Sequence, residues 1–306
     1  MIDPAVRQRS KRSKVLSLIV AMRPRQWIKN LLVLAAPATA GALTKPASAL
    51  RAAEALGIFV AASAGTYLLN DTVDAAADRL HPRKRHRPIA AGEVSRGLAI
   101  ATAMILLCGA LSAAAFLTLQ FFVVAAVYIA TTLSYTFGMK RLPVIELGFV
   151  SAGFVLRASA GGAAGHIPIS PWFLIVTSAG ALFVVAGKRS AELTVLGDTG
   201  AEHRAALGSY PPVFLLACRM LAACVAATSY CLWVFERSGK ITVGSHFHNL
   251  TWFEFSIIPF VFGLLMLELA IESGKGSEPE ELALHDRGLQ VMAICWLALI
   301  GLGIYA

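Results

Sequence analysis

The sequence is poor in charge. Of its 306 residues, 15% are Asp, Glu, Lys or Arg and 57% are hydrophobic, and the mean hydropathy is +0.67. Soluble domains average about 25% charged residues. A chain this apolar is expected to be an integral membrane protein. No soluble domain separates the apolar runs, so we expect one all-α, membrane-embedded domain over residues 1–306.

Several chemical signatures are missing. The five cysteines lie in apolar runs without CxxC or CxxH spacing, so neither a zinc site nor a disulfide framework is indicated. We interpret them as small hydrophobic residues in helices. Walker A and GxGxxG fingerprints are absent, and no Cys, Ser or His nucleophile arrangement is visible. No cleavable signal peptide is apparent, because a long basic segment without a small-residue cleavage site precedes the first apolar run.

Nine apolar runs predict nine transmembrane helices. They lie at about 24–43, 52–71, 97–116, 119–138, 144–163, 171–188, 212–235, 252–271 and 288–305. Ser277 and Glu280 have the spacing of a capping box before the last span. His285, Asp286 and Arg287 open that span, where helix capping is the favoured interpretation.

The basic residues predict the orientation. With a cytosolic N-terminus, 21 of the 27 Lys and Arg residues face the cytosol and 4 face outside, as the positive-inside rule favours. Residues 1–22 are then a basic cytosolic tail, and the C-terminus lies outside. The net charge of +9 is therefore mostly a topology signal, so we do not expect nucleic acid as a partner.

An acidic face follows the second span. Asp71, Asp74 and Asp78 lie within an arc of roughly 60° on an α-helix, and Tyr67 and Asn70 lie beside them. Three close carboxylates need water or a cation to neutralise them. Mg²⁺ prefers one or two carboxylates together with substrate phosphate oxygens. We therefore predict a Mg²⁺–diphosphate site, with a solvated acidic helix end as the alternative.

Basic side chains on the same predicted side complete the candidate site. Five of them lie between Arg79 and Arg87, which fits cations that grip a polyphosphate or, alternatively, anionic lipid. The residues predicted to contact substrate are Lys29, Asn70, Tyr67, Lys84, Arg85, Tyr135, Lys140, Arg157, Lys188, Arg189 and Glu192. Because all of these groups except Arg157 are predicted on one side of the membrane, the pattern favours an enzyme over a transporter, which needs polar groups at the midplane.

Two of these assignments have structural alternatives. Arg157 lies deep in the fifth span and needs an anion or a paired acid, and Glu146 is its possible structural partner. Lys188 and Glu192 are spaced i, i+4 and could pair with each other. The richness in Gly, Ala and Ser around Arg157 indicates close helix packing.

The spans and the motif from Asn70 to Asp78 resemble the UbiA-type intramembrane prenyltransferase superfamily. The resemblance covers nearly the whole chain and implies a nine-helix bundle with a cytosol-facing cavity. Usual members hold Mg²⁺ and a prenyl diphosphate with two Asp-rich motifs. Here the second motif is replaced by Lys188-Arg189 and Glu192, followed by a lone Asp198. This departure argues against ordinary prenyl-diphosphate chemistry.

The departure resembles one branch of the superfamily, the decaprenyl-phosphate phosphoribosyltransferases of actinobacterial cell walls. RPRQWIKN (23–30), the segment 70–92, FVLR (154–157) and GKRSAEL (187–193) are all similar to that branch. The resemblance implies 5-phosphoribosyl diphosphate as donor and decaprenyl phosphate as acceptor. The product would be decaprenylphosphoryl-5-phosphoribose, a precursor of cell-wall arabinan, made at the bacterial plasma membrane.

The chemistry expected from this resemblance starts with Mg²⁺ on Asp71, Asp74 and Asp78. The C1–O bond of the donor would break through an oxocarbenium-like state, and the lipid phosphate would attack the opposite face with inversion. The lipid phosphate is already anionic, so no general base is needed. The alternative is a prenyl transfer from a prenyl diphosphate to an aromatic acceptor. Since apolar spans look alike against lipid or a neighbouring subunit, a homo-oligomer stays open.

Overall fold

Long helices dominate the computed structural model, which describes residues 13–81, 84–196, 206–239, 251–273, 282 and 285–305. The α-helices of these residues are α1 (Lys14–Ala21), α2 (Ala35–Thr39), α3 (Pro46–Leu80), α4 (Arg96–Leu117), α5 (Leu119–Phe137), α6 (Ile145–Gly165), α7 (Pro171–Leu196), α8 (Pro212–Arg237), α9 (Trp252–Phe255), α10 (Ile257–Glu272) and α11 (Arg287–Tyr305). Short 3₁₀-helices lie at Ala42–Thr44, Lys84–His86, Met139–Arg141 and Leu207–Ser209, and a longer one spans Pro24–Leu34. No strand occurs among the described residues, so the all-α prediction is confirmed.

Eight helical segments of the described chain are long and apolar enough to cross a membrane. They are α3 to α8, the continuous stretch formed by α9 and α10 (Trp252–Glu272), and α11. They match eight of the nine predicted spans, and they make the protein a multi-pass membrane protein. The predicted capping at the last span is confirmed, because the Asp286 carboxylate accepts a hydrogen bond from the Leu289 amide at 3.0 Å.

The first predicted span, 24–43, does not form one continuous α-helix. It is a 3₁₀-helix over Pro24–Leu34 that continues into α2. At about 2.0 Å per residue in the 3₁₀ part and 1.5 Å in the α part, the two together are about 30 Å long. That length matches the hydrocarbon core of a bilayer. The total of nine spans therefore stays a prediction, with this segment as the ninth candidate.

Close packing against α6 accompanies this unusual segment. The Val33 carbonyl oxygen lies 1.8 Å from the place where a Cβ on Gly161 would be, and Pro37 lies 2.8 Å from it. Pro37 also has no N–H to donate to the Val33 carbonyl four residues earlier. The glycine thus allows the two backbones to touch, which confirms the close packing predicted from the small residues of α6.

The bundle has two packed regions. In the first, α3 packs against α4, α5, α6 and the 3₁₀-helix, around a core that includes Phe59, Phe121 and Tyr128. In the second, α7 packs against α8 and α10, and α11 packs against α9 and α10. The contact between α6 and α7 joins the two regions. Most of the basic tail and the predicted capping box at Ser277 and Glu280 lie outside the described residues.

Candidate active site

The ion pairs of the described chain gather at one end of the bundle, where α3, α5 and α7 end and α6 begins. The carboxylates of α3 are largely buried there, with Asp71 2% exposed and Asp78 4% exposed. Because α3 continues past its apolar run to Leu80, it carries all three aspartates on regular helix, as the sequence predicted. Burial makes these carboxylates dependent on nearby cations.

Arg87 bridges two of the aspartates. Its Nη1 donates to Oδ2 of Asp78 at 2.7 Å and to Oδ1 of Asp71 at 3.2 Å. The loop after α3 returns Arg87 to the helix it has just left, and the Arg79 side chain fastens the loop by donating to the Ala90 carbonyl at 3.1 Å. The guanidinium therefore occupies the position of a cation shared by two carboxylates.

Arg23 provides a second cation for Asp71. Its Nη2 donates to Oδ1 of Asp71 at 2.5 Å, and its guanidinium lies over the Tyr67 ring at 5.1 Å. Arg23 has a left-handed backbone conformation, with φ of 57°, which costs free energy in a residue other than glycine. Neither Arg23 nor Arg87 was among the predicted site residues, although both lie within motifs singled out in the sequence.

Asp74 faces a different neighbour. Lys140, in the short 3₁₀-helix after α5, donates from Nζ to Oδ1 of Asp74 at 2.5 Å. The end of α5 also contacts Asn70, whose side-chain oxygen accepts from the Thr136 hydroxyl at 3.3 Å. Three predicted site residues thus meet the end of α5 or the 3₁₀-helix after it: Asp74 contacts Lys140, and Asn70 contacts Thr136. The three aspartates are neutralised by three cations from three separate segments.

A second ion-pair cluster joins α6 to α7. Arg189 donates from Nε and Nη2 to the two carboxylate oxygens of Glu146, at 2.6 and 2.8 Å, and from Nη1 to Glu192 at 3.0 Å. The side chains of Glu146 and Arg189 are 0% and 4% exposed. The suggestion that Glu146 pairs with Arg157 is therefore wrong. The i, i+3 spacing lets Arg189 reach Glu192, and its fork geometry suits a bidentate pair with Glu146.

Tyr210 closes this cluster from the chain before α8. Its hydroxyl accepts a hydrogen bond from the Val144 amide at 2.7 Å and lies 3.5 Å from Oε1 of Glu146. Burial raises the pKa of the Tyr210 phenol above its usual value, and the negative charge of Glu146 adds to that rise. Val144 has a φ of 66°, which is strained for a β-branched residue.

Arg157 has neutral partners instead of an acid. It donates to the Asn30 side chain at 2.9 Å, to the Gly153 carbonyl at 2.9 Å and to the Tyr128 hydroxyl at 2.6 Å. Asn30 in turn donates to Ser63 at 2.9 Å. This network ties the first 3₁₀-helix to α3, α5 and α6, which gives Arg157 a structural role whether or not it also contacts substrate.

The remaining predicted residues surround these clusters. Lys29 lies with its Nζ 5.8 Å from the centre of the Phe154 ring, next to the Arg157 network. Lys84 and Lys188 are partly exposed, whereas Arg85 is exposed and its Nε lies 3.4 Å from His86. Tyr135 is half-buried near the end of α5. Arg83, in the loop between α3 and α4, lies outside the described residues.

Arg219 in α8 is a further buried cation at this end. It contacts Glu268 at 2.9 to 3.2 Å and also Glu272, both in α10. Within the described part of the chain, its Nη1 has no hydrogen-bond partner. Arg219 was not among the predicted site residues. The structure pairs it within the second packed region.

The carboxylates of α3 can be compared with the needs of a metal ion. Among the described residues, no three His, Cys, Asp or Glu side chains lie close enough to share one ion. Asp71 and Asp78 nevertheless point at one common position, which Arg87 fills. Two carboxylates with further oxygens from water and phosphate are the usual protein share of a Mg²⁺ site. The donor set therefore fits Mg²⁺ once the guanidinium moves aside.

Comparison with known proteins identifies the family. The sequence matches the UbiA prenyltransferase family over residues 31–281. The chain belongs to this family. A UbiA homologue from Archaeoglobus fulgidus, solved with GPP and Mg²⁺, has the same fold, with a TM-score of 0.71 over 95% of this chain and 98% of that one at 18% identity.

Nearer relatives within the UbiA family share one name. The chain is 43% identical over 298 residues to the decaprenyl-phosphate phosphoribosyltransferase of Mycolicibacterium smegmatis, covering 95% of this chain and 93% of the relative. It is 42% identical over 291 residues to the enzyme of that name from Mycobacterium tuberculosis strain CDC 1551, covering 94% of each. The recognition of the family and of its branch from sequence motifs is thus confirmed.

Proposed function

We propose that the protein transfers a 5-phosphoribosyl group from 5-phosphoribosyl diphosphate to decaprenyl phosphate. The products are decaprenylphosphoryl-5-phosphoribose, a precursor of cell-wall arabinan, and diphosphate. The observation that carries this proposal is the identity of 42–43% over nearly the full chain with enzymes named for that transfer. The site supports it, because buried carboxylates alternate there with cations, and both substrates are phosphates.

The aspartates of α3 bind the divalent metal in this proposal. Asp71, Asp74 and Asp78 would hold Mg²⁺, together with oxygens from water and the substrate. When bound, Mg²⁺ supplies positive charge that neutralises the diphosphate leaving group. Lys140 lies beside Asp74 and provides an ammonium for the same phosphate groups. These preorganised charges stabilise the charge that develops as the C1–O bond breaks.

The acceptor needs orientation more than activation. A lipid phosphate oxygen is already anionic near neutral pH, so no side chain has to remove a proton. We assign Lys29, which lies beside Phe154, and Lys188 in α7 to phosphate oxygens. The acceptor attacks C1 from the face opposite the diphosphate, which inverts the configuration. Two nitrogens of Arg189 already donate to Glu146. We therefore assign Arg189 an indirect role, in which it fixes the positions of Glu192 and α7.

The cellular orientation follows from the same proposal. The charged end of the bundle faces the cytosol, where a water-soluble phosphoribosyl donor is available, and the C-terminus faces outside. The distribution of Lys and Arg supports this orientation. The decaprenyl chain extends along the apolar helices within the plasma membrane.

A transfer assay tests the proposal. Purified protein in detergent receives Mg²⁺, radiolabelled 5-phosphoribosyl diphosphate and decaprenyl phosphate, and the mixture is extracted with organic solvent. We expect label in the lipid phase, lost with EDTA and in Asp71→Ala. The matched control is Glu54→Ala, since Glu54 is exposed near the other end of α3. No lipid label, with prenyl transfer from a prenyl diphosphate to an aromatic acid instead, would refute the proposal.

A further inference from the structure

Arg87 occupies the position that a divalent cation needs. Its Nη1 lies 2.7 Å from an Asp78 oxygen and 3.2 Å from an Asp71 oxygen. Mg²⁺ binds oxygen at about 2.0–2.1 Å and repels a guanidinium at contact distance. The same two carboxylate oxygens therefore cannot serve Arg87 and the metal together in this geometry. Metal entry between the two carboxylates requires Arg87 to leave, and Arg23, whose Nη2 lies 2.5 Å from the same Asp71 oxygen, must release that oxygen as well.

The position of Arg87 allows it to leave. Its side chain is 27% exposed, whereas Asp71 is 2% exposed, so the guanidinium has access to solvent and the carboxylates do not. It also lies in a loop, immediately after the 3₁₀-helix Lys84–His86. Arg189 is the contrasting case, because it is 4% exposed and held by Glu146 with two hydrogen bonds. Of these two bridging arginines, Arg87 is the one that can exchange partners.

A released guanidinium needs a new anion. A diphosphate bound to the metal places phosphate oxygens beside Asp71 and Asp78, and Arg is well suited to bind such oxygens. We infer that Arg87 is a counter-ion switch: it holds Asp71 and Asp78 while no metal is bound, and it moves to a diphosphate oxygen when metal and diphosphate arrive. This inference rests on the proposed function, because it takes the metal–diphosphate site as its starting point.

The switch couples the two ligands. Metal alone must displace Arg87 without offering it a new partner, so metal alone binds weakly. The metal–diphosphate complex displaces Arg87 and also receives it, so the complex binds tightly. By thermodynamic linkage, each ligand then strengthens the binding of the other by the same factor. The switch thereby disfavours a site that is occupied by metal while no donor is bound.

Replacing Arg87 should change the two affinities in opposite directions. In Arg87→Gln, the carboxylates lose a competing cation, so Mn²⁺ alone should bind about tenfold or more tightly, since hydrogen bonds to charged groups contribute roughly that factor. The preformed complex of Mn²⁺ with methylenediphosphonate, which cannot be hydrolysed, should bind at least severalfold more weakly. A purely structural role for Arg87 would lower both affinities.

The experiment measures binding, with no turnover. Free Mn²⁺ is followed by electron paramagnetic resonance during titration of the full-length protein in detergent, and the complex is titrated by calorimetry. Arg96→Gln is the matched control, because Arg96 is exposed at the start of α4 and its loss removes one positive charge without touching α3. We expect Arg96→Gln to behave as wild type in both titrations.

The outcomes separate the two levels of the argument. Equal Mn²⁺ affinity in wild type and Arg87→Gln would overturn the switch while leaving the metal site intact. No specific Mn²⁺ binding in either protein, with or without methylenediphosphonate, would overturn the metal–diphosphate site itself. If Arg87→Gln does not fold, Arg87→Lys keeps the charge but shortens the reach, and we expect the same opposite changes at smaller size; their absence would overturn the switch.

Discussion

Glu146→Gln is expected to destabilise the protein strongly. Glu146 is fully buried and receives two hydrogen bonds from Arg189, at 2.6 and 2.8 Å. Removing one partner of a buried ion pair costs about 3–5 kcal/mol, and in this variant Glu192 still compensates part of the Arg189 charge. Glutamine keeps one acceptor for Arg189, so we expect the lower end of this range. At about 2 °C per kcal/mol for a chain of this length, the melting temperature should fall by about 6 °C.

The assay is a thermal melt of purified protein in one detergent, with Glu192→Gln as the matched control. Glu192 accepts one bond from the same arginine, and its side chain is 26% exposed. A partly exposed pair contributes at most about 1 kcal/mol, so this variant should lose about 2 °C or less. Equal losses in Glu146→Gln and Glu192→Gln would refute the assignment of the buried pair as the stabilising contact.

A double variant sharpens the same prediction. Arg189→Met alone removes the guanidinium that neutralises the buried Glu146, whereas Arg189→Met with Glu146→Met replaces the whole pair by apolar groups. We expect the double variant to be more stable than either single one, because the desolvation cost disappears with both charges. Transfer activity in a stable double variant would also show that Arg189 does not bind an essential phosphate, contrary to its predicted role. A double loss equal to the sum of the single losses would contradict coupling.

Three further outcomes are expected. Gly161→Ala should lower the free energy of unfolding by about 1–3 kcal/mol or more, and with it the melting temperature, because the added Cβ would lie 1.8 Å from a carbonyl oxygen. Gly148→Ala in the same helix is the control and should be harmless, because its Cβ would meet no atom within 4 Å. Lys140→Met should raise the KM for the donor about tenfold with a smaller change in kcat, because its ammonium lies at Asp74; an unchanged KM would place the donor phosphates elsewhere. Because burial raises the pKa of Tyr210, the folded state holds the phenol proton more tightly, so stability should fall as pH rises above about 10, and melts of Tyr210→Phe should lack this part of the fall.

The sequence predicted the fold class and nine membrane spans, eight of which match long apolar helices of the described residues, because length and hydropathy alone decide those features. It also placed Asp71, Asp74 and Asp78 on one helical face correctly, since helical periodicity fixes relative direction within one element. The 3₁₀ conformation of Pro24–Leu34 was not predictable in that way. It accompanies a contact between the Val33 carbonyl and Gly161, which lie far apart in the sequence.

The ion-pair and hydrogen-bond partners in the candidate site were not predictable from the sequence for the same reason. The sequence suggested Glu146 as a partner of Arg157, because both lie in the same span. In the fold, Arg189 of the next helix pairs with Glu146 instead. The structure satisfies Arg157 with the neutral groups of Asn30, Tyr128 and Gly153. The signals for Arg23 and Arg87 were present as basic residues in notable motifs. Their contacts with Asp71 depend on chain reversals that local patterns do not specify.

The Glu146–Arg189–Glu192 cluster also bears on the choice between phosphoribosyl and prenyl transfer. Prenyl transfer by the usual chemistry was expected to need a second set of carboxylates free to take metal. Two carboxylates do converge at the junction of α6 and α7, but a buried guanidinium already lies between them. Displacing it would leave a cation without a partner in a low-dielectric interior, which is costly. At this end of the bundle, the carboxylates of α3 thus contact partly exposed cations, whereas Glu146 and Arg189 form a buried pair between α6 and α7. We expect this arrangement to favour the binding of several phosphates over the binding of a second metal ion.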